Sequence, residues 1–209
     1  MKRITILLAD DHAVVVEGLR RILARKQFKI VGAVGDGHAL VKAVRELKPD
    51  IIITDIAMPL LNGIEAARQI RGHNPQAKII FLTMHPEVIY ARQALSAGGS
   101  GYVLKTSAGD ELVTAINEAV AGRVYVTESI AQAVEAGAAS GASPLDNMTR
   151  RQREVLQLLA EGRQAKEIAA TLNLSPKTVE FHKYRLMDVL GVRTIAELAR
   201  YAAKNGLVE

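Results

Sequence analysis

Five residues at four widely spaced places carry side chains that could handle a phosphoryl group: Asp10, Asp11, Asp55, Thr83 and Lys105. Carboxylates crowded together repel, so a cluster of them is stable only beside a hard cation and an ammonium. Mg²⁺ suits such a set, because it takes one or two carboxylates, a carbonyl and waters while bridging to a phosphate oxygen; Mn²⁺ is the alternative. One carboxylate then remains to attack phosphorus and form an acyl phosphate. A lysine ammonium and a threonine hydroxyl would offset charge on the transferred oxygens. Taken singly, each residue has a plainer reading. Asp10-Asp11 could be a solvated helix N-terminus, Asp55 an Asx turn before Ile56-Ala57-Met58-Pro59, Thr83 a strand residue and Lys105 a surface lysine.

Their positions argue against that plainer account. Residues 1–123 alternate β-branched runs with amphipathic stretches, the pattern of βα units around a parallel sheet. Five strands are predicted, at Ile4–Ala9, Ile30–Val34, Ile51–Thr54, Ile79–Thr83 and Tyr102–Leu104. Helices are predicted at Val14–Arg25, Gly37–Leu47, Gly63–Arg71, Val88–Ala97 and Asp110–Ala121. All five reactive residues therefore fall at carboxyl ends of strands, the edge where an open doubly wound sheet gathers its ligands. His12 and His85 lack an i, i+4 partner and are not expected to ligate a transition metal.

After Arg123 the composition turns to Ala, Gly and Ser, so 124–147 reads as a linker, with a short helix conceivable at Glu128–Ala136. Residues 148–209 read as four helices without a strand. Thr149-Arg150-Arg151-Gln152 fits a capping box opening the first, which runs to Leu159. The second spans Ala165–Leu172, and Ser175-Pro176 supplies a cap and a proline at the first helical position of the third. Gly191 ends that helix, and a fourth covers Ile195–Lys204. The second and third have helix-turn-helix spacing, in which the later helix enters the major groove of double-stranded DNA. Ile168, Ala169, Leu172, Leu174, Val179, His182 and Leu186 are placed to pack the pair, and Phe181 is expected in the core. Lys166, Lys177, Lys183 and Arg185 would face phosphates, with Thr178, Glu180 and Tyr184 as further candidate contacts. A helical interaction module with no nucleic-acid partner is the alternative.

Composition sets bounds on all of this. The 209 residues are 49% hydrophobic and carry 27 basic against 22 acidic residues, and the pI is about 9.5. Residues 149–209 hold 11 basic and 7 acidic residues, a denser excess than in the longer 1–123. That permits polyanion binding without requiring it. No apolar run approaches the roughly 18 residues of a membrane span, and no cleavable leader pattern is seen, so a cytoplasmic protein without a membrane partner is expected. Cysteine is absent, which excludes disulfides and thiolate metal sites.

The runs Ile6-Leu7-Leu8-Ala9-Asp10-Asp11, Asp55-Ile56-Ala57-Met58-Pro59 with Asn62-Gly63, Leu82-Thr83 and Tyr102-Val103-Leu104-Lys105 resemble the receiver domain of bacterial response regulators over residues 4–121. Thr149–Leu156, Lys166-Glu167-Ile168-Ala169 and Thr178-Val179-Glu180-Phe181-His182 are similar to the C-terminal domain of NarL/FixJ (LuxR-type) regulators over about 148–207. The resemblance implies a flavodoxin-like (CheY-like) five-stranded α/β receiver followed by an all-α four-helix helix-turn-helix domain. It implies that a sensor histidine kinase phosphorylates Asp55. Asp10, Asp11, Asp55 and the Ala57 carbonyl would hold Mg²⁺, Thr83 and Lys105 would touch the phosphoryl group, and Tyr102 would be the switch aromatic. It implies a DNA-binding homodimer joined through Ile195, Leu198 and Ala199, with RNA polymerase a further candidate partner. Two departures stand out. Gln164-Ala165 replaces a common Ser-Asn pair, and Glu180 stands where lysine is frequent and could accept from cytosine N4. Against an aspartyl-phosphate phosphatase, Ala57 stands where such enzymes place a second acid.

Overall fold

The parallel pairings of the sheet follow from strands that are apolar on both faces. In the computed structural model, which describes residues 3–24, 28–136, 145 and 148–208, strands β1 (Thr5–Ala9), β2 (Lys29–Val34), β3 (Ile51–Thr54), β4 (Ile79–Thr83), β5 (Gly101–Leu104) and β6 (Tyr125–Val126) lie in the order β2-β1-β3-β4-β5-β6. Side chains alternate across a strand. Ile6, Leu8, Ile51, Ile53, Ile80, Leu82 and Val103 therefore pack on one face, against Leu19 and Leu23 of helix α1 (Ala13–Ala24) and Leu112 and Ile116 of α5 (Ala108–Val120). Leu7, Ile52, Ile79, Phe81 and Tyr102 pack on the other, against α2 (Gly37–Leu47), α3 (Gly63–His73) and α4 (Val88–Ser96). The two apolar clusters make a three-layer sandwich.

The sheet has six strands where five were expected. β6 is only two residues long, too short to show a period, and it lies in the stretch read as linker. It pairs parallel to β5, Gly101 to Tyr125 and Tyr102 to Val126. Helix α6 (Glu128–Ala136), at the positions expected, follows it and packs on α4, with Ile130 buried. The chain divides into two compact units, Met1–Ala139 and Ser140–Glu209. The predicted helix end at Arg25 and the Gly/Ser-rich stretch 137–144 lie outside the described residues.

The second unit holds α7 (Arg150–Ala160), α8 (Ala165–Leu172), α9 (Pro176–Leu190) and α10 (Ile195–Lys204). Its helix starts follow the predicted chemistry. Thr149 Oγ1 accepts from Gln152 N and the Gln152 side chain accepts from Thr149 N, closing the capping box. Ser175 caps α9 with Pro176 in the first turn, Asn173 ends α8 at φ 53°, and Gly191 ends α9 at φ 66°. Val155, Leu156, Leu158, Ile168, Val179, Leu186 and Leu198 form the buried centre. Glu154 lies in it fully buried, held by Arg150 and Arg151 at 2.8 Å each.

Candidate functional site

Strand register brings the acidic residues together. Ala9 of β1 pairs with Thr54 of β3, so Asp10 and Asp55 leave neighbouring strands side by side at the point where strand order reverses. Asp55 N donates to Ala9 O at 2.8 Å and Asp10 N to Val34 O at 3.0 Å, which fixes both backbones. Beyond Asp55 the chain turns through Leu60, whose φ is 68°, and Asn62 starts α3 by accepting from Glu65 N. Gly63 lies directly against the loop. A Cβ there would come within 1.9 Å of the Asp55 carbonyl oxygen, so no other residue fits without moving the acid.

Lys105 arrives from the end of β5, and its Nζ lies 2.8 Å from Asp10 Oδ2 and 2.5 Å from Asp55 Oδ2. Both carboxylates are nearly buried, at 5% and 4% exposure. Burial pushes the Asp55 carboxyl above its ordinary range, and Asp10 adds to this; the Lys105 ammonium and the Ile56 N–H oppose it without cancelling it. Burial works against the Lys105 charge, but its bonds to Asp10 and Asp55 together hold the ammonium above its usual range. Asp55 Oδ1 accepts from Ile56 N at 2.6 Å. Asp11 is more open, and its Oδ1 lies 3.0 Å from His12 Nδ1.

Asp10, Asp11, His12 and Asp55 present ligand atoms all within 4.8 Å of one another. Three carboxylates against one ammonium leave two negative charges, which a hard divalent cation would balance. This donor set fits Mg²⁺. His12, which the sequence spacing set aside, belongs to this cluster; its N–H donates to Asp10 Oδ1 at 2.8 Å. The signal was adjacency in sequence to Asp10-Asp11, not a helical repeat.

Thr83 is fully buried at the end of β4, and its Oγ1 accepts from His85 N at 3.2 Å. The carbonyl of the same His85 accepts from Tyr102 Oη at 2.7 Å. Tyr102 is fully buried, and burial pushes its phenol well above its ordinary pKa. The His85 ring stacks on Tyr90 of α4, with centroids 4.3 Å apart. One residue's two backbone groups thus tie the threonine at the end of β4 to the aromatic of β5. Thr127, unremarked in the sequence, closes the next link. Its N–H donates to Tyr102 O at 3.0 Å, and its hydroxyl accepts from Leu104 N and donates to Glu111 at 2.5 Å. Ala57 lies half-buried in the loop after Asp55.

In the helical unit Lys166, Lys177 and Arg185 are exposed and Thr178 is half-buried. Lys183 is not free to reach outward, because its Nζ pairs with Glu180 three residues earlier and lies 4.8 Å from the Tyr184 ring. Phe181 is 59% exposed, not in the core; the inward positions of α9 are taken by Val179, His182 and Leu186. Tyr184 is also exposed. Ile195 is exposed and Ala199 half-buried, but Leu198 is fully buried where α10 packs on α7, so it serves the unit's own core and offers no dimer surface.

A doubly wound sheet with a lysine-bridged acidic pocket, followed by a helix-turn-helix unit, defines a two-domain signalling regulator. The description "response regulator receiver domain" matches residues 6–117, and "bacterial regulatory proteins, luxR family" matches 146–202. The transcriptional regulatory protein MctR of Rhizobium johnstonii is 34% identical over 207 residues, 99% of this chain and 96% of its own. The response regulator UvrY of Escherichia coli K12 is 35% identical over 208 residues, 98% and 95% of the two chains. A structure of RcsB from Salmonella enterica serovar Typhimurium, bound to a promoter in the presence of the phosphomimetic BeF₃⁻, is similar at 31% identity and a TM-score of 0.66. It covers 97% of this chain and all of that one. The chain belongs to the two-domain response regulators that join a receiver to a LuxR-type DNA-binding domain and regulate transcription. Among the described residues no helix is long and apolar enough to cross a membrane.

Proposed function

We propose that a partner histidine kinase phosphorylates Asp55, and that the modified receiver promotes homodimerisation and binding of double-stranded DNA by α8 and α9. The observation that carries this reading is the Lys105 ammonium shared between buried Asp10 and Asp55. It opposes the burial that favours the neutral Asp55 carboxyl, and it is already placed for a phosphoryl oxygen. An Asp55 carboxylate oxygen attacks phosphorus, the new O–P bond forms, and the N–P bond of the kinase phosphohistidine breaks with its electron pair left on the imidazole. Asp10, Asp11, Asp55 and the Ala57 carbonyl would hold Mg²⁺, which when bound neutralises charge on the phosphoryl oxygens. The residue two beyond Asp55 is alanine, with no acid to activate water, so self-catalysed dephosphorylation is slow.

The modification adds about −1.5 to −2 of charge beside Lys105. Thr83 then turns its hydroxyl to the phosphoryl group and gives up the His85 N–H. That loosens the residue whose carbonyl anchors Tyr102, which makes Tyr102 the switch aromatic. Exposed Lys166, Lys177 and Arg185 supply phosphate contacts on DNA, and RNA polymerase is the partner at a promoter. A DNA-bound regulator of this kind works in the cytoplasm. The test is retention of duplex DNA and oligomeric state of the full chain, before and after acetyl phosphate with Mg²⁺. Tighter retention and dimers only in the treated wild type are expected. Equal retention and promoter output in wild type and Asp55→Asn would overturn the reading and leave a DNA-binding protein independent of phosphorylation.

A further inference from the structure

The helix that reads DNA in this class carries two exposed aromatic rings on its outer face. In α9, Val179, His182 and Leu186 point inward, and a repeat of 3.6 residues places Lys177, Phe181, Tyr184 and Asp188 on the opposite side. Phe181 is 59% and Tyr184 64% exposed, an i, i+3 pair of rings in water. Large aromatics so exposed side by side are unexpected unless a partner covers them. Two of their polar neighbours are already occupied: Glu180 pairs with Lys183, and that ammonium also lies over the Tyr184 ring. This pairing takes up the acid that could accept from cytosine N4 and one of the two lysines of α9, Lys183, that could donate to guanine.

Resting on the DNA-binding reading above, we infer that Phe181, flanked by Tyr184, sets sequence preference by packing on the C5-methyl groups of thymines in the major groove. The thymine methyl is the one apolar mark on a base edge in that groove, and an aromatic ring is a proper partner for it. Lys177, at the start of the same face, and Arg185, at its flank, hold the backbone and fix register without reading sequence. Specificity then comes from shape and apolar contact, while affinity keeps its electrostatic origin.

The test uses the full chain, phosphorylated with acetyl phosphate, and duplexes selected by it from a pool with a randomised core. In the enriched duplexes, each thymine is replaced by uracil, which removes only the methyl. Wild-type affinity is expected to fall about fourfold per contacted methyl. Phe181→Ala and Phe181→Leu bind more weakly at the start, and Phe181→Ala loses the response to uracil while keeping the same salt dependence. Because Phe181 is exposed, both variants are expected to keep the wild-type circular dichroism and melting curve. Uracil duplexes bound as tightly as thymine ones by the wild type would overturn the inference. An equal uracil penalty in Phe181→Ala would also overturn it, as would a change confined to oligomeric state, which would assign the ridge to self-association. Failure of the DNA-binding reading looks different: no duplex is enriched, and retention of the starting pool does not change with salt.

Discussion

Replacing Gly63 by alanine tests whether the acidic pocket is held in place by backbone packing. The added Cβ would lie 1.9 Å from the Asp55 carbonyl oxygen and 3.0 Å from Thr54 Oγ1, whereas ordinary contact begins at 3.4 Å, so a shift of about 1.5 Å is forced. The obstacle is backbone, not a flexible side-chain tip. Moving α3 away breaks the Gly63 N to Ile56 O bond of 2.8 Å; moving Asp55 away draws it off the 2.5 Å contact with Lys105. Overpacking of this kind costs about 3 kcal/mol, near the top of its usual range. For a unit of this size that lowers Tm by roughly 10 °C. Misplacement of a reacting group by about 1 Å costs roughly a hundredfold in rate. The assay is the rate of phosphorylation by acetyl phosphate, with a thermal melt on the same sample. Gly72→Ala is the control, since it lies in the same helix with nothing within 4 Å of its added Cβ, and there alanine stabilises by up to about 1 kcal/mol. A Gly63→Ala protein with wild-type rate and Tm would refute the packing argument.

Further outcomes follow from the same geometry. Lys105→Ala removes the counter-charge to two buried carboxylates; phosphorylation slows by about a hundredfold, and the acid limb of its pH–rate profile moves to higher pH. Asp55 has a raised pKa when folded, so the stability it contributes is present below the ordinary carboxylate range and lost as pH rises through the folded value. Asp55→Asn should therefore melt higher than wild type at neutral pH, and the gap should close in acid. Thr127→Val removes the hydroxyl that accepts from Leu104 N and donates to Glu111, costing about 1 to 3 kcal/mol in a denaturant titration. Thr149→Ala breaks the capping box of α7 and costs about 1 kcal/mol, read in the melting of the helical unit.

Much of this molecule was legible because its strands and helix ends announce themselves locally. Ile51-Ile52-Ile53 marks a strand buried on both faces, and the gathering of Asp10, Asp11, Asp55 and Lys105 follows from placing them at strand ends. The second to fourth helices of the C-terminal unit fall where their caps predicted, because Ser175-Pro176, Asn173 and Gly191 act within a turn. What stayed hidden depends on partners far along the chain. β6 is two residues in an alanine-rich setting and exists because β5 has a free edge for it. Thr127 meets Leu104 and Glu111 only after folding. Phe181 looked like core by residue type, but its angular position on α9 leaves it outside once Val179, His182 and Leu186 have turned inward. Leu198 erred the other way, since the same helix that was expected to pair two chains first covers α7.

Modification at Asp55 is the claim on which the rest depends, and peptide-resolved mass spectrometry tests it most directly. The full chain is incubated with Mg²⁺ and phosphoramidate, then digested in acid. One added phosphoryl group on the peptide containing Asp55, absent without Mg²⁺ and absent in Asp55→Asn, is the predicted result. A phosphoryl group located on another residue, or an equal gain in Asp55→Asn, would contradict it.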